Sequence, residues 1–599
     1  MESSTNEYKM LKFMKMLVPV VGVGIVLTTV VFALSIATLV KVNKGFNDFQ
    51  GNTIETTNPT NPTTVPVITP ATIIPITTAT TTTTDQPLPN PTLPTSINIT
   101  NIMDHLSAFQ RIATANNRNR AVTTTGYNQT LDYITNTLAA NTNFNVTKTF
   151  FPIRQFALAS DPILISSING VTKTYTFSKD LSVADFTYIE LSTRANFMAF
   201  VGISVIPNVG CSNDDWSNAN PPVAGRVALV KRGVCAFSDK GVLAAQNNAA
   251  AILIYNDGVT PDRVQPMAIN LGQENVLPAL FLSFPVGQAL ADAAQDSSTN
   301  TGVQLVINLV DLPLSPVGNI CADTPTGDAT QTIVIGSHSD SVPAGPGIND
   351  NGSGSAANLG LAIALAKLFQ TSTYPKYKYR VRFCWWGAEE IGLLGSDYHV
   401  KQAKNATDVG ERLQDYLINL NYDMLGSPNY IFGIYDGQTA NNDTPSHALP
   451  GSNKITALFR DWFIRQKLPW NHTDFSGRSD YGPFLFEGIV AGGLFTGGDE
   501  VKNQQTRDYM DQMLGQGMGG IAGALYDPCY HMACDSIQNI NVFAFEKMVQ
   551  AAAFMLENLA RQDDLIQWLY PNGRPTRSNN ESPQRKYDSI NEYFGMPYL

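Results

Sequence analysis

Apolar residues fall into three regimes along this chain, and each predicts a different kind of structure. Met16 to Val40 runs 25 residues without a charge and is rich in Val, Leu and Ile. A bilayer core takes about 20 such residues as a helix, so this run is expected to be a transmembrane helix. Lys9, Lys12 and Lys15 precede it, against Lys41 and Lys44 after it. That bias makes 1–15 a cytoplasmic tail and puts the rest outside the cytosol, as a single-pass membrane protein with an extracellular or lumenal domain. A cleaved signal peptide, with Ser35-Ile36-Ala37 as its cleavage option, is the competing reading and would make the protein secreted. Residues 41–97 lose the apolar pattern and are crowded with Thr and Pro, including the run Thr80 to Thr84. Such a tract cannot bury enough surface to offset its ordering entropy and reads as a stalk.

The third regime is globular. From Asp104 to Ala140 the apolar positions have helical spacing: Leu106, Phe109, Ile112 and Ala113, then Leu131, Ile134 and Leu138. Residues 160–315 switch to short runs such as Val227 to Val230 and Ala251 to Tyr255, around a helical stretch from Lys240 to Ala249. From about 317 strands and helices alternate. Strands are expected at Thr332 to Ser337, Tyr379 to Trp386 and Ile418 to Tyr422, with helices at Ser353 to Phe369 and Ile455 to Gln466. The fold class expected is α/β, a three-layer sandwich around a mixed sheet with a small β-rich domain inserted. The boundaries expected are 98–165 for the first part of the main domain, 166–314 for the insert, 315–565 for the rest and 566–599 for a tail.

Charge and cysteines narrow the class. A net charge of −11 argues against a nucleic-acid binder, which needs a basic face. Six cysteines are consistent with disulfides. Cys211 and Cys235 are expected to pair; for Cys321 and Cys384 a bond and free thiols stay equally open. Sequons stand at Asn98, Asn128, Asn145, Asn405, Asn442, Asn471 and Asn580. A further sequon at Asn351 lies among the candidate site residues and is expected to be unmodified.

Candidate chemistry sits at the ends of the predicted strands, where open α/β sheets gather ligands. His338-Ser339-Asp340 follows one strand, Asn349-Asp350-Asn351-Gly352 opens a helix, Glu389-Glu390 follows another strand, Asp423 follows a third, and His531 lies in Cys529-Tyr530-His531-Met532-Ala533-Cys534. Imidazoles with carboxylates suit zinc. Two histidines and three carboxylates suit two Zn2+, with one carboxylate bridging and positions left for water. Adjacent carboxylates after the buried-looking Val381 to Ala388 need positive compensation, which a metal supplies. The other histidines, His105, His399, His447 and His472, have no such context and are read as structural or surface residues.

These motifs resemble the zinc aminopeptidases of the Streptomyces and yeast vacuolar aminopeptidase Y type. The resemblance runs through His338-Ser339-Asp340, Gly347 to Gly354, Trp386 to Ser396, Asn421 to Met424, Gly477-Arg478-Ser479-Asp480-Tyr481 and Tyr530-His531. It covers about 317–560 and the segment with Asn119-Arg120-Ala121. Gly225 to Val230 and Arg232 to Phe237 resemble the protease-associated domain inserted in many members. The resemblance implies that Asp350 bridges two zincs, that His338 and Asp423 complete one site, and that Glu390 and His531 complete the other. It implies Glu389 as general base, Tyr530 as a donor to the oxyanion, Asp340 orienting His338, and Arg478 near the substrate. It further implies a cis peptide at Asp350–Asn351 and a disulfide between Cys529 and Cys534; extra metal ligation by that pair is the alternative. Two features depart from the family: the small Ser339, and a long interval from Glu390 to Asp423 with an insertion at 405–410.

The function expected is removal of the N-terminal residue from peptides with a free N-terminus, through a dimetal-activated water. Two alternatives stay open: a membrane-anchored glutamate carboxypeptidase-like enzyme, which needs more substrate-binding arginines than Arg478, and a non-catalytic receptor ectodomain, which has no use for a general base. A glutaminyl cyclase-like enzyme is disfavoured because one zinc would leave ligands unused.

Overall fold

The computed structural model describes residues 91–574, apart from 234, 236, 260–262, 268, 274 and 441–443. Its centre is an eight-stranded mixed sheet. Four strands at the middle run parallel: Tyr379–Trp386, Asp328–His338, Tyr416–Tyr422 and Val490–Phe495. Ser315–Asp323 and then Asn145–Ile153 add antiparallel on one side. Gly433–Tyr435 adds antiparallel on the other, followed by Asn471–Thr473.

Strand alternation assigns the two faces. Ile333, Ile335, Val381, Phe383 and Trp385 enter one core with helices Ile99–Ala115, Thr125–Asn141, Gly352–Phe369, Leu449–Arg465 and Val542–Ala560. Val334, Cys384 and Trp386 enter a smaller core with Val400, Ala403 and Phe484 from the helices Leu394–Asn405 and Tyr481–Phe486. Buried on both faces, these strands are largely apolar, as parallel strands tend to be, with Arg380, Arg382, Asn419 and Asn421 as buried polar exceptions. The two groups of helical positions read over 104–140 are two helices, parted around Asn119 to Val122, where Asn117, Arg118 and Thr123 take positive φ.

The insert has its own nine-stranded sheet, built on the parallel run Val201–Val205, Val227–Lys231, Ala251–Tyr255 and Ala279–Leu282. Its two faces carry separate cores, with Val227 and Leu229 in one and Ala228 and Val230 in the other. The chain leaves and returns side by side: Asn145–Ile153 pairs with Ser315–Asp323 up to Ile153 opposite Ser315, and Phe156–Leu158 then pairs with Leu309–Asp311. Ile163–Ile168 already belongs to the insert's sheet, so the crossing comes about ten residues before the expected 165. The tail begins later than expected. Trp568 and Tyr570 pack on the main core, the Tyr570 hydroxyl donates to Leu417 O (2.8 Å), and Arg574 donates to the carbonyls of Leu413, Gln414 and Tyr416.

The membrane reading is corrected. Among the described residues no helix is long and apolar enough to cross a membrane. Even the 19-residue helix Val542–Ala560 carries Glu546, Lys547 and Glu557 and is buried in the main core. The expected span 16–40, with the tail before it and the stalk up to 90, lies outside the described residues, and a single-pass location is not carried further.

Because Ile153 and Ser315 are paired neighbours, replacing 154–314 by an Asn-Gly turn should leave a folded main domain with one cooperative melt. Loss of that transition in calorimetry would show that the main sheet depends on the insert.

Candidate active site

The parallel strands deliver their chemistry to one edge. His338 is the last residue of its strand, Asp423 follows Tyr422 at the end of the next, and Glu389 and Glu390 lie three and four residues beyond Trp386. Asp350 and Asn351, joined by a cis peptide, open the helix Gly352–Phe369. The Asn351 side chain ties that helix to the strand end: its amide donates to Tyr422 O (3.0 Å) and its oxygen accepts from Gly354 N (2.8 Å). Gly354 is required here, since a Cβ would meet Tyr422 O and the Asn351 amide. Asn351 is fully buried, so the folded site leaves no room for a sugar on its amide. His531 arrives from a loop pinched by the Cys529–Cys534 disulfide. Ala388, Met424 and His531 hold positive φ, a conformation that costs a non-glycine residue roughly 1–2 kcal/mol.

Asp350 stands between two clusters. Its Oδ1 lies 3.2 Å from His338 Nε2, and its Oδ2 lies 3.1 Å from His531 Nε2. Asp423 Oδ1 adds to the first at 3.5 Å from His338 Nε2, and Glu390 Oε2 to the second at 3.1 Å from His531 Nε2. Each cluster offers three ligand atoms within 4.8 Å of one another. All five residues are buried, none more than 8% exposed. Yet His338 Nε2, Asp423 Oδ1 and Glu390 Oε1 accept or donate no hydrogen bond. Buried polar atoms are nearly always satisfied. Two such three-ligand clusters, the first with its facing His338 Nε2 and Asp423 Oδ1 both orphaned, fit two divalent cations, and imidazole with carboxylate is a donor set for zinc.

The electrostatics agree. Burial alone would deprotonate both histidines, but Glu389 and Asp423 around His338, and Glu390 and Asp350 around His531, outweigh it; His531 is pushed up to about 10. Burial and then Asp350 raise Glu390 to about 7. Burial, with Asp423 and Asp480 adding to it, holds Glu389 well above the usual carboxyl range against the pull of His338. This is an acid cluster short of positive charge.

The remaining expected residues also line this region. Glu389 Oε2 lies 3.8 Å from His338 Nε2. Tyr530 and Arg478 line the same cleft, and the Tyr530 ring stacks on His531 at 3.8 Å. Burial keeps the Tyr530 hydroxyl protonated, so it is a donor. Asp340 meets the His338 ring through two groups, its backbone carbonyl at 3.2 Å and its carboxylate Oδ1 at 3.6 Å from Nδ1. The same carboxylate accepts from Glu389 N and Glu390 N at 3.3 and 3.4 Å, so it also shapes the Glu389–Glu390 turn. Cys211–Cys235 and Cys321–Cys384 are both bonded; the second joins directly opposed residues of neighbouring strands. His105, His399, His447 and His472 are not among the side chains lining the cleft.

Several contributors stand in or near the sequence motifs without their supporting role being legible there, because they act across long separations. Ser479 Oγ donates to Asp423 Oδ2 (2.6 Å) and accepts from Asn421 Nδ2 (2.8 Å). The Asp535 carboxylate accepts from Asn349 N (2.8 Å) and Asp350 N (3.0 Å). Arg120, fully buried, donates to the carbonyls of Ser339, Pro346 and Gly347 and so spans both ligand loops. The pairing of Asp480 with this cluster, buried and raised to about 7 by that burial, was equally invisible.

Residues 319–556 match peptidase family M28, and residues 198–290 match the PA domain. An aminopeptidase of Pseudomonas aeruginosa (strain UCBPP-PA14) is 34% identical over 483 residues, covering 79% of this chain and 83% of its own length. Leucine aminopeptidase 2 of Trichophyton tonsurans is 34% identical over 471 residues, 78% of this chain and 86% of that protein. The solved aminopeptidase from Aneurinibacillus sp. strain AM-1 shares the fold, with a TM-score of 0.56 at 21% identity, covering 79% of this chain and 96% of that one.

Ser479→Ala removes the 2.6 Å bond that aims Asp423. It should weaken divalent-metal binding about 10-fold or more in a chelator-competition titration, with little change in melting of the metal-free protein. Unchanged affinity would show that Asp423 needs no such support.

Proposed function

This chain belongs to peptidase family M28, and on that premise we propose how its residues divide the work of a zinc-dependent aminopeptidase. The observation that carries the assignment is the splitting of Asp350: its two oxygens face different histidines at 3.2 and 3.1 Å. His338 and Asp423 would hold one zinc, Glu390 and His531 the other, and Asp350 both. Two zinc ions bound there supply Lewis-acid polarisation of the scissile carbonyl and acidify a water.

The chain's own residues do the rest. Glu389, buried against the first cluster, takes the proton of the attacking water and delivers it to the leaving amine. Its raised affinity for protons is what both transfers need. Tyr530, a protonated donor beside His531, hydrogen-bonds the oxygen on which negative charge develops. Asp340 and Asp535 hold the ligand loops through backbone amides, and Arg120 braces the same loops from beneath. The substrate's free amine meets the acidic wall, where Asp474, Asp499 and Glu500 line the mouth. Met424, Tyr435 and Phe495 line the cleft beside them and favour an apolar first side chain. Arg478 faces the peptide. The carboxypeptidase-like and receptor readings have no comparable support, since the relatives over most of the chain are aminopeptidases by name.

Glu389→Gln tests the base directly. It should lower kcat by roughly 100-fold or more while the purified enzyme still carries two zincs by elemental analysis. Loss of zinc together with activity would make Glu389 a ligand and overturn the assignment.

A further inference from the structure

A groove of about 310 Å³ lies away from the candidate active site, on the sheet face under the helix Leu394–Asn405. That size falls within the ~300–1,000 Å³ of ligand pockets. One wall is the edge strand Asn145–Ile153, where alternation turns Thr147, Thr149 and Phe151 toward the helix. The other wall is the helix stripe Tyr398, Gln402 and Asn405, spaced i, i+4 and i+7 and so stacked along one face. The Cys321–Cys384 bond and the Arg382–Glu411 ion pair (2.6 Å) complete the lining.

The ends of the groove differ. At one, Tyr398 stacks on Phe151 with ring centroids 5.0 Å apart. The other end therefore holds Asn405, together with Thr147 and, two residues earlier on the same strand face, Asn145. Asn405 and Asn145 are both exposed and both open sequons, Asn405-Ala406-Thr407 and Asn145-Val146-Thr147. Asn405 lines the groove itself, and the chain after it leaves the helix in extended conformation at Ala406. Hydroxyls of Thr147 and Thr149, the Gln402 amide, the Glu411 carboxylate and the Tyr398 ring make a lining that suits a sugar: planar polar groups for ring hydroxyls and an aromatic surface for a sugar face.

We propose that Asn405 carries an N-linked glycan whose first sugar units lie in this groove, packed between the helix and the edge strand. The three disulfides are consistent with synthesis in an oxidising compartment, where such glycans are added. The bond formed joins Asn405 Nδ2 to the anomeric carbon of the transferred oligosaccharide, whose lipid diphosphate carrier leaves. The glycan would cover the open side of the Cys321–Cys384 bond and tie the helix that follows Glu390 to the sheet's edge.

The full chain should be produced in a eukaryotic secretory host, with the exposed sequons at Asn98 and Asn128 as internal references. Glycopeptide mass spectrometry should find Asn405 occupied. Under native conditions an endoglycosidase should release its glycan at least 10-fold more slowly than those at Asn98 and Asn128, and the difference should vanish on unfolding. Thr149→Trp, which fills the groove, should leave Asn405 occupied but bring its release rate to that of the others. Asn405→Gln and Thr407→Ala should lower Tm by similar amounts; a drop confined to Asn405→Gln would assign the effect to the asparagine itself. An unmodified Asn405, whether or not other sequons carry sugar, or native release at the rate of the references, overturns the proposal.

Discussion

Six carboxylates, Asp340, Asp350, Glu389, Glu390, Asp423 and Asp480, crowd one end of the central sheet, none more than 8% exposed. An uncompensated buried charge costs several kcal/mol, and the protein supplies little cation nearby: Arg120 beneath, Arg478 in the cleft wall, and two imidazoles. The fold is arranged around that deficit. Parallel strands bring the acids to one edge, and the helix starting at Gly352 brings Asp350 between the two histidines. Two divalent ions convert the arrangement from a liability into a catalytic centre, and in the first cluster the facing atoms His338 Nε2 and Asp423 Oδ1 are themselves without hydrogen bonds.

The backbone around the cluster is held by partners remote in sequence. Arg120 reaches the carbonyls on both sides of the ligand loops, Asp535 fixes the amides of Asn349 and Asp350, and Ser479 fixes Asp423. Positive φ at Ala388, Met424 and His531 is tolerable only where such contacts determine the chain path. Metal affinity therefore depends on residues that never touch metal.

The two histidines and three carboxylates that converge were legible in sequence because each sits in a compact motif: His338, Glu390 and Asp423 stand at or just beyond a strand end, Asp350 before a helix and His531 in a loop. Helix and strand types were legible because periodicity switches cleanly at the insert. Ser479, Asp535 and Arg120 were not legible as supports, since each acts over more than fifty residues through a geometry only the folded sheet creates. Asp340 shows a subtler limit: the resemblance implied a carboxylate beside His338, which stands 3.6 Å from Nδ1, but not that the same carboxylate also accepts from the backbone of Glu389 and Glu390. The Cys321–Cys384 bond hinged on strand register, which pairs those two residues directly and which spacing alone left open. The membrane span rested on an apolar run outside the described residues, and no described helix replaces it.

The most direct measurement compares hydrolysis of leucyl-anilide with hydrolysis of its N-acetylated form, in zinc-loaded enzyme and after chelation. Cleavage of the free-amine substrate alone, lost on chelation and restored by zinc, is the predicted result. Equal cleavage of both substrates, or activity that survives removal of metal, would contradict it.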